Sequence, residues 1–404
     1  MNPCQFCKNL SVKIVLDLGF FPPVNVMYKM SEIQNSSESF PLEFGYCTKC
    51  SLVQIVNEVN QSTVFPETYP YLSGMTKSLV DNFKQQSEQA MNLINLNEND
   101  LVLDIGSNDG SLLMQYKNKC KVLGVEPTFA AKSSLEKGIP TLESFFSLVV
   151  ARDILKGYGK AKLITACNVF AHIPNLNELL KGIDEVLSED GVFISESHYL
   201  FRLLSNLQFD TIYHEHLRYY SATFLSMAFE QFNLKIFRID LIDSHGGSIR
   251  VWASRPGKFK IHSSVSELIK KESSKNLEFE MFLFSNSVRN WRHRFRSLIA
   301  ELVLDGNLIA GVGAPSRSST LLTFAGITSQ DIFAVAEVKG SAKIGRFIPG
   351  TKIPVLDENE VLSKEPNVLL ILSWHLSETL MKILRDKGFK GKFLIPLPNP
   401  VLVE

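Results

Sequence analysis

The chain carries no net charge, no long apolar run and no recognisable leader. Its 42 basic residues are matched by 42 acidic ones, which argues against a broad nucleic-acid or anionic-membrane surface. No stretch of 18 or more apolar residues occurs, so a transmembrane helix is not expected. Met1-Asn2-Pro3-Cys4 opens without a basic region leading into an apolar core, so the expected compartment is the cytoplasm. Neither nucleic acid nor membrane is expected as a partner. At 404 residues, 45% of them hydrophobic, the chain has room for two or three domains and a sizeable core.

Cysteine is scarce, with six in all, but four of the six fall into two CxxC pairs: Cys4 with Cys7, and Cys47 with Cys50. Each pair sets two thiolates on a tight turn, and two such turns make a tetrahedral sulfur cage suited to zinc. Nothing in the spacing leaves an open ligand position, so the metal reads as structural. The segment between the pairs, residues 8 to 46, is long enough for a small β-rich knob.

Leu101-Val-Leu-Asp104-Ile-Gly106-Ser-Asn108-Asp-Gly110 reads as a strand entering a glycine loop, with a helix beginning at Ser111. Glycine lets the backbone approach a ligand, and a helix N-terminus offers unpaired N–H groups. A second strand, Lys121 to Glu126, ends in a carboxylate that can accept both hydroxyls of an adenosine ribose. The loop is D-x-G-x-x-x-G rather than the G-x-G-x-x-G of a pyrophosphate binder. An acidic Asp104 repels phosphates and suits a sulfonium amino acid, which favours S-adenosylmethionine. Gly138 to Phe146 reads as the third strand, with Ser144 and Phe145 where an adenine ring stacks. Lys162 to Asn168 is the fourth, running towards His172, and Gly191 to Glu196 the fifth. This alternation of strands and helices implies a doubly wound parallel sheet.

The densest chemistry follows that sheet. Tyr213-His214-Glu215-His216 sets two histidines, a carboxylate and a tyrosine together, residues that exchange protons near neutral pH. The run suits a metal site or an acid–base site. On an extended segment His214 and His216 would point apart, which weakens the metal reading. His245-Gly-Gly-Ser248-Ile-Arg250 is a glycine turn entering a strand, either a plain hairpin or a ligand contact through His245, Ser248 and Arg250. Phe284, Val288, Trp291, Phe295, Leu298 and Leu302 form one apolar stripe of a long helix whose other face carries arginines. A second strand, glycine loop and helix then begins at Asn307. There Gly311, Gly313, Ser316, Arg317 and, further on, Lys343 and Arg346 are suited to hold a phosphate or diphosphate. The expected architecture is α/β: a zinc-binding domain over 1–65, a Rossmann-like methyltransferase domain with a catalytic insertion over 66–260, and a C-terminal Rossmann-like α/β domain over 261–404.

Taken in order, the CxxC pairs, the D-x-G-x-x-x-G loop, Asn168-Val-Phe-Ala-His172-Ile, the Tyr-His-Glu-His run, His245-Gly-Gly-Ser-Ile-Arg-Val, Gly313-Ala-Pro followed by Thr320-Leu-Leu, and Pro349-Gly-Thr-Lys-Ile-Pro-Val resemble the zinc-containing, S-adenosylmethionine-dependent sugar C-methyltransferases. The resemblance spans essentially the whole chain. It departs where Phe20-Phe21-Pro22-Pro23 replaces a commoner Gln-Pro, where Ser316-Arg317-Ser318 follows Ala-Pro in place of Ala-Lys-Gly, and where Ser373-Trp374-His375 replaces Pro-Trp-Asn. The resemblance implies methylation of carbon 3 of a nucleotide-linked 4-keto-6-deoxysugar, with dTDP or GDP as the nucleotide. It implies His216 as the base, Tyr213, Glu215 and His172 as its partners, and Tyr71 as an aromatic at the cofactor. His214 is left to packing or support. A monomer or weak homo-oligomer is expected. A zinc-knob nucleic-acid methyltransferase and a non-catalytic scaffold are the rival expectations. The first predicts a basic surface and an Asn-Pro-Pro-Tyr type of motif, neither of which this sequence has, and the second predicts a degraded cofactor loop, whereas Asp104, Gly106, Gly110 and Glu126 are all in place.

Overall fold

In the computed structural model, residues 3–32, 38–65 and 72–404 are described. Three sheets organise them. The first joins β1 (Val12–Phe21), β2 (Phe40–Cys47) and β3 (Val53–Ile55). The second holds β4 (Leu101–Ile105), β5 (Lys121–Val125), β6 (Thr141–Leu142), β7 (Ala161–Cys167) and β8 (Leu187–His198). The two-residue β9 (Arg218–Tyr219) returns to the first sheet and pairs with β3, Val53 opposite Tyr219. β10 (Lys235–Ile242) and β11 (Ser248–Ser254) add an antiparallel edge to the second sheet, whose order is β10-β11-β8-β7-β4-β5-β6. Its five-stranded parallel part, β8-β7-β4-β5-β6 with β4 central, is the doubly wound parallel sheet expected from the alternating strands and helices.

The C-terminal sheet contains β12 (Ile309–Val312), β13 (Val335–Glu337), β14 (Val355–Asp357), β15 (Val368–Ile371), β16 (Lys392–Ile395) and β17 (Val401–Val403). Its order is β14-β13-β12-β15-β16-β17, parallel except for β17. The order in which strands are added therefore reverses between the parallel neighbours β12 and β15, which makes a crevice at their carboxyl ends. β4, β12 and β15 are buried along their whole length, as their nearly continuous apolar runs require of central parallel strands.

The long helix Leu277–Leu304 ties the first and third sheets into one core. Its stripe is buried at Phe284, Val288, Trp291, Phe295 and Leu302, and Trp291 donates its indole N–H to the Pro396 carbonyl at 2.7 Å. On the other face, Arg296 caps the Ala325 carbonyl at 2.6 Å and Arg292 lies over Phe324. Among the described residues, no helix is long and apolar enough to cross a membrane.

Two local expectations differ. The third strand is two residues long instead of nine. After Gly110 the chain forms only a short turn, Leu113–Gln115, so no α-helix N-terminus follows the first glycine loop. Gly110 has φ +74°, and a Cβ there would lie 2.6 Å from Ser134 Oγ; its need for glycine is packing against the neighbouring helix.

Candidate active site

One cavity of about 410 Å³ runs from the carboxyl ends of the central sheet to the crevice of the C-terminal sheet. At the cofactor end, β5 delivers Glu126 to the wall. Its Oε1 accepts the Thr128 N–H at 2.9 Å and the Thr128 hydroxyl at 2.6 Å, and its Oε2 accepts the Asn108 N–H at 2.9 Å, which fixes the carboxylate across the glycine loop and leaves an Oε2 lone pair for a ligand hydroxyl. Gly106, with φ +69°, touches Val169 so closely that a Cβ would lie 2.3 Å from a methyl carbon. Asn108, Phe145 and Asn168 also line this end, as do Phe83 and Phe146. A carboxylate for ribose hydroxyls, a side-chain-free loop and an aromatic wall fit S-adenosylmethionine.

Asp104, Gly110 and Ser144 are not among the lining residues. Asp104 lies beneath the loop, where it accepts the Thr165 hydroxyl at 2.6 Å. Burial pushes its carboxyl up to about 7, against the pull of the Thr165 bond and with the added charge of Glu126. Tyr71 lies outside the described residues.

At the centre of the cavity, His172, Tyr213, Glu215 and His216 come together. The Tyr213–His216 run is a turn rather than a strand: the His216 N–H donates to the Tyr213 carbonyl at 2.9 Å. The turn aims His214 away, with its Nε2 on the Pro41 carbonyl at 3.2 Å, and aims His216 into the cavity. His216 Nδ1 lies 2.8 Å from the Thr211 carbonyl. A carbonyl only accepts, so Nδ1 carries the proton and Nε2 is left with a lone pair, 3.0 Å from the Tyr213 hydroxyl. His172 is arranged alike, with Nδ1 donating to the Glu215 carbonyl at 2.6 Å. Burial pulls His172 down to about 4 and His216 well below the usual histidine range, with His172 and His198 adding to the effect on His216. Both rings are therefore neutral at neutral pH, with Nε2 unprotonated.

The zinc-binding domain holds this turn in place. Ile55 donates its N–H to the Leu217 carbonyl at 3.0 Å, and β9 follows immediately. Asn25 donates to both Glu215 carboxylate oxygens, at 2.7 and 2.9 Å, and accepts the Ser316 hydroxyl at 2.8 Å. One side chain of the first domain thus joins the turn to the C-terminal loop. In the same domain, Cys4, Cys7, Cys47 and Cys50 bring their four sulfurs within 4.8 Å of one another, the spread of a tetrahedral thiolate site.

At the far end His245, Ser316 and Arg317 line the cavity, together with His198, Lys343, Ser373 and His375. Ser248, Arg250, Gly313 and Arg346 do not. Arg250, expected as a ligand contact, is instead sealed in an ion pair with Glu196 at 2.8 Å and donates to Asn82 at 2.6 Å. Its strand sends alternate side chains to opposite faces, and that face packs against the sheet's own helix. Ser248 turns to the Ser244 carbonyl at 3.0 Å. Arg346 caps the Met27 and Ala342 carbonyls, at 2.8 and 3.1 Å. Sequence reasoning passed over Asn25 and His198; the only signal for His198 is its place at the carboxyl end of a central parallel strand, where ligands gather.

The chain matches three domain families in order: a zinc binding domain over residues 4–65, a methyltransferase domain over residues 73–239, and a C-methyltransferase C-terminal domain over residues 243–398. With this domain order and the cavity above, the chain is an S-adenosylmethionine-dependent C-methyltransferase carrying an N-terminal zinc-binding domain. Among its relatives, the C-methyltransferase NovU of Streptomyces niveus is 29% identical over 412 positions, covering 100% of this chain and 97% of that protein. Similar solved structures include an S-adenosylmethionine-dependent methyltransferase from Clostridium acetobutylicum, with 18% identity, TM-score 0.36, and 44% of this chain and 92% of that chain covered. Another is magnesium protoporphyrin IX methyltransferase from Synechocystis with bound SAH, with 13% identity, TM-score 0.34, and 44% and 82% covered.

Proposed function

We propose that the enzyme methylates carbon 3 of a nucleotide-linked 4-keto-6-deoxysugar, with His216 as the base. The observation that carries this reading is His216 itself: a neutral, buried imidazole in the cavity wall whose Nδ1–H is tied to Thr211, which makes Nε2, 3.0 Å from the Tyr213 hydroxyl, the acceptor nitrogen. When bound, S-adenosylmethionine supplies an electrophilic methyl group on sulfur. Carbon accepts a methyl group only as a nucleophile, and the hydrogen beside a ketone is acidic enough for a histidine to remove. His216 Nε2 takes the carbon 3 proton, and the C–H electron pair moves into the enolate. Positioned base catalysis of this kind is worth about 10²–10⁴-fold.

Tyr213 Oη, which donates to His216 Nε2, is suited to turn its hydrogen to the enolate oxygen, and His172, whose Nδ1–H is held by the Glu215 carbonyl, offers Nε2 to accept from a neighbouring sugar hydroxyl. Glu215, pinned by Asn25, orients a sugar hydroxyl. The nucleotide belongs in the crevice between β12 and β15, where open α/β sheets hold their ligands, and the Ser316–Arg317 helix start and Lys343 lie at its mouth. The zinc is structural and takes no part in the proton transfer.

The test is incubation with S-adenosylmethionine and a panel of dTDP- and GDP-linked 4-keto-6-deoxysugars, read by mass and by NMR. The expected product gains one methyl group at carbon 3. Transfer to oxygen, or to no keto sugar in the panel, would refute the assignment.

A further inference from the structure

One wall of the cavity comes from neither the methyltransferase domain nor the C-terminal domain. Gln61 and Phe65, from the end of the zinc-binding domain, both line it. They bracket one turn of helix, Gln61–Val64, in which the Asn60 side chain accepts the Ser62 N–H at 3.1 Å. The Phe65 N–H closes the turn on the Gln61 carbonyl at 2.8 Å. Residues four apart on a helix share a face, so Gln61 and Phe65 present one side of the turn to the cavity.

The turn is tied to the sheet of its own domain. Where the chain leaves β3, the Val56 N–H donates to the Glu43 carbonyl at 2.8 Å, and the Asn57 amide donates to the Glu43 carboxylate at 2.8 Å. Glu43 belongs to β2, the strand that ends in Cys47. The residue that Phe65 meets across the domain boundary is His172. Their rings stand edge to face, 5.7 Å apart at 85°. His172 is also held by the reacting turn, through the Glu215 carbonyl on Nδ1 and the His216 ring at 5.0 Å. Phe65 adds hydrocarbon, which takes the place of water against the imidazole.

We infer that Phe65 is a positioning residue: it holds the His172 ring against the reacting turn and keeps water off it, so that the zinc-binding domain closes the chamber in which the proton moves. This role rests on the function proposed above for His172, whose Nε2 accepts only while the ring is neutral. The contact between the two rings is the same whatever the substrate.

Burial is the main reason that His172 is held down at about 4, and the Arg218 cation adds to it, against hydrogen bonds to the Glu215 and Asn168 backbone. The His216 ring faces it from the reacting turn and the His198 ring from the end of β8, and each would oppose a second positive charge. Taking hydrocarbon away from the His172 ring admits water, which favours the charged form and raises the pKa. A phenyl ring acting instead as a cation–π partner would favour the imidazolium, so its loss would lower the pKa. The sign of the change separates the two roles.

NMR of the histidine ring nitrogens tests this between pH 8 and 5 in the full, zinc-loaded chain, with the His172 signals identified by their loss in His172→Asn. In the wild type the ring should be the Nδ1–H tautomer and about nine-tenths neutral at pH 5. In Phe65→Ala the pKa should rise by about one pH unit, leaving the ring about half protonated at pH 5, and the two tautomers should mix. Phe65→Gln, which keeps bulk without the hydrocarbon surface, should raise it in the same direction and serves where Phe65→Ala loses zinc. Phe65→Leu keeps an apolar wall and should stay close to the wild type. An unchanged or lower pKa in Phe65→Ala and Phe65→Gln, or a rise in Phe65→Leu equal to theirs, overturns the inference. No substrate enters the measurement, so its failure and the failure of the proposed methylation are separate results.

Discussion

The central and C-terminal sheets solve the same structural problem with opposite chemistry at the mouth. In both, the second strand ends in a glutamate whose carboxylate accepts an N–H from the glycine loop after the first strand: Asn108 to Glu126 at 2.9 Å, and Ala314 to Glu337 at 2.8 Å. In the central sheet that glutamate also faces the cavity; in the C-terminal sheet Glu337 does not, and Arg317 and Lys343 face it instead. The carboxylate suits ribose hydroxyls and a cationic methyl donor, and the cations suit an anionic substrate. Strand order sets where a ligand lies, and one or two loop side chains decide its charge. The reacting turn sits between the two mouths and is held by a third unit, the zinc-binding domain.

Removing that third unit should have the largest effect. Stripping zinc with a chelator removes a structural site worth on the order of 10 kcal/mol. The four cysteines anchor the sheet that ends in β9, so circular dichroism should register loss of the domain's β structure and methyl transfer should fall to background, with the third sheet loosened through the core it shares with the first.

Acid comes next. Histidines 172, 198, 216, 245 and 375 all line the space between the two mouths and are held below their usual range, chiefly by burial. The unfolded chain, with histidines near 6.5, then binds more protons than the folded one. Stability is full above pH 6.5 and is lost as pH falls towards the depressed values, by up to about 1.4 kcal/mol per pH unit for each ring. Chemical unfolding between pH 7.5 and 5.5 should show this slope, and His198→Asn should flatten it.

Smaller effects separate the two mouths. Glu126→Gln should weaken S-adenosylhomocysteine about 10–100-fold, through loss of charge-assisted bonds, and leave dTDP binding unchanged. Glu337→Gln should change cofactor affinity little, because its carboxylate serves its own loop. Equal losses of cofactor in the two variants would erase the distinction between the sheets. Asn25→Ala frees Glu215 and Ser316 together. Turnover should fall about tenfold, corresponding to roughly 1.4 kcal/mol of positioning, with cofactor affinity intact.

Local spacing made part of this readable in the sequence. The CxxC pairs, the glycine loop with Glu126 at the next strand end, and the stripe of the long helix each declare themselves within a few dozen residues. Residues whose role depends on distant partners do not. Asn25 reaches Glu215 across 190 positions, and β9 pairs with a strand more than 160 residues earlier, so neither has a local signature. Arg250 shows the converse: its place beside a glycine turn looked like ligand binding, yet Glu196 on the neighbouring strand claims its guanidinium. The absent helix after Gly110 has a similar cause, since that loop is satisfied by Asp109, Ser111 and Lys137 without one.

The central claim is that His216 removes a proton from carbon 3. It is tested most directly without methyl transfer, by incubating the enzyme, S-adenosylhomocysteine and a reactive 4-keto-6-deoxysugar nucleotide in deuterium oxide and following the carbon 3 hydrogen by NMR. The wild type should exchange that hydrogen, and His216→Asn should slow the exchange by about 10²-fold or more while binding S-adenosylhomocysteine normally. Exchange at the wild-type rate in His216→Asn would contradict the account.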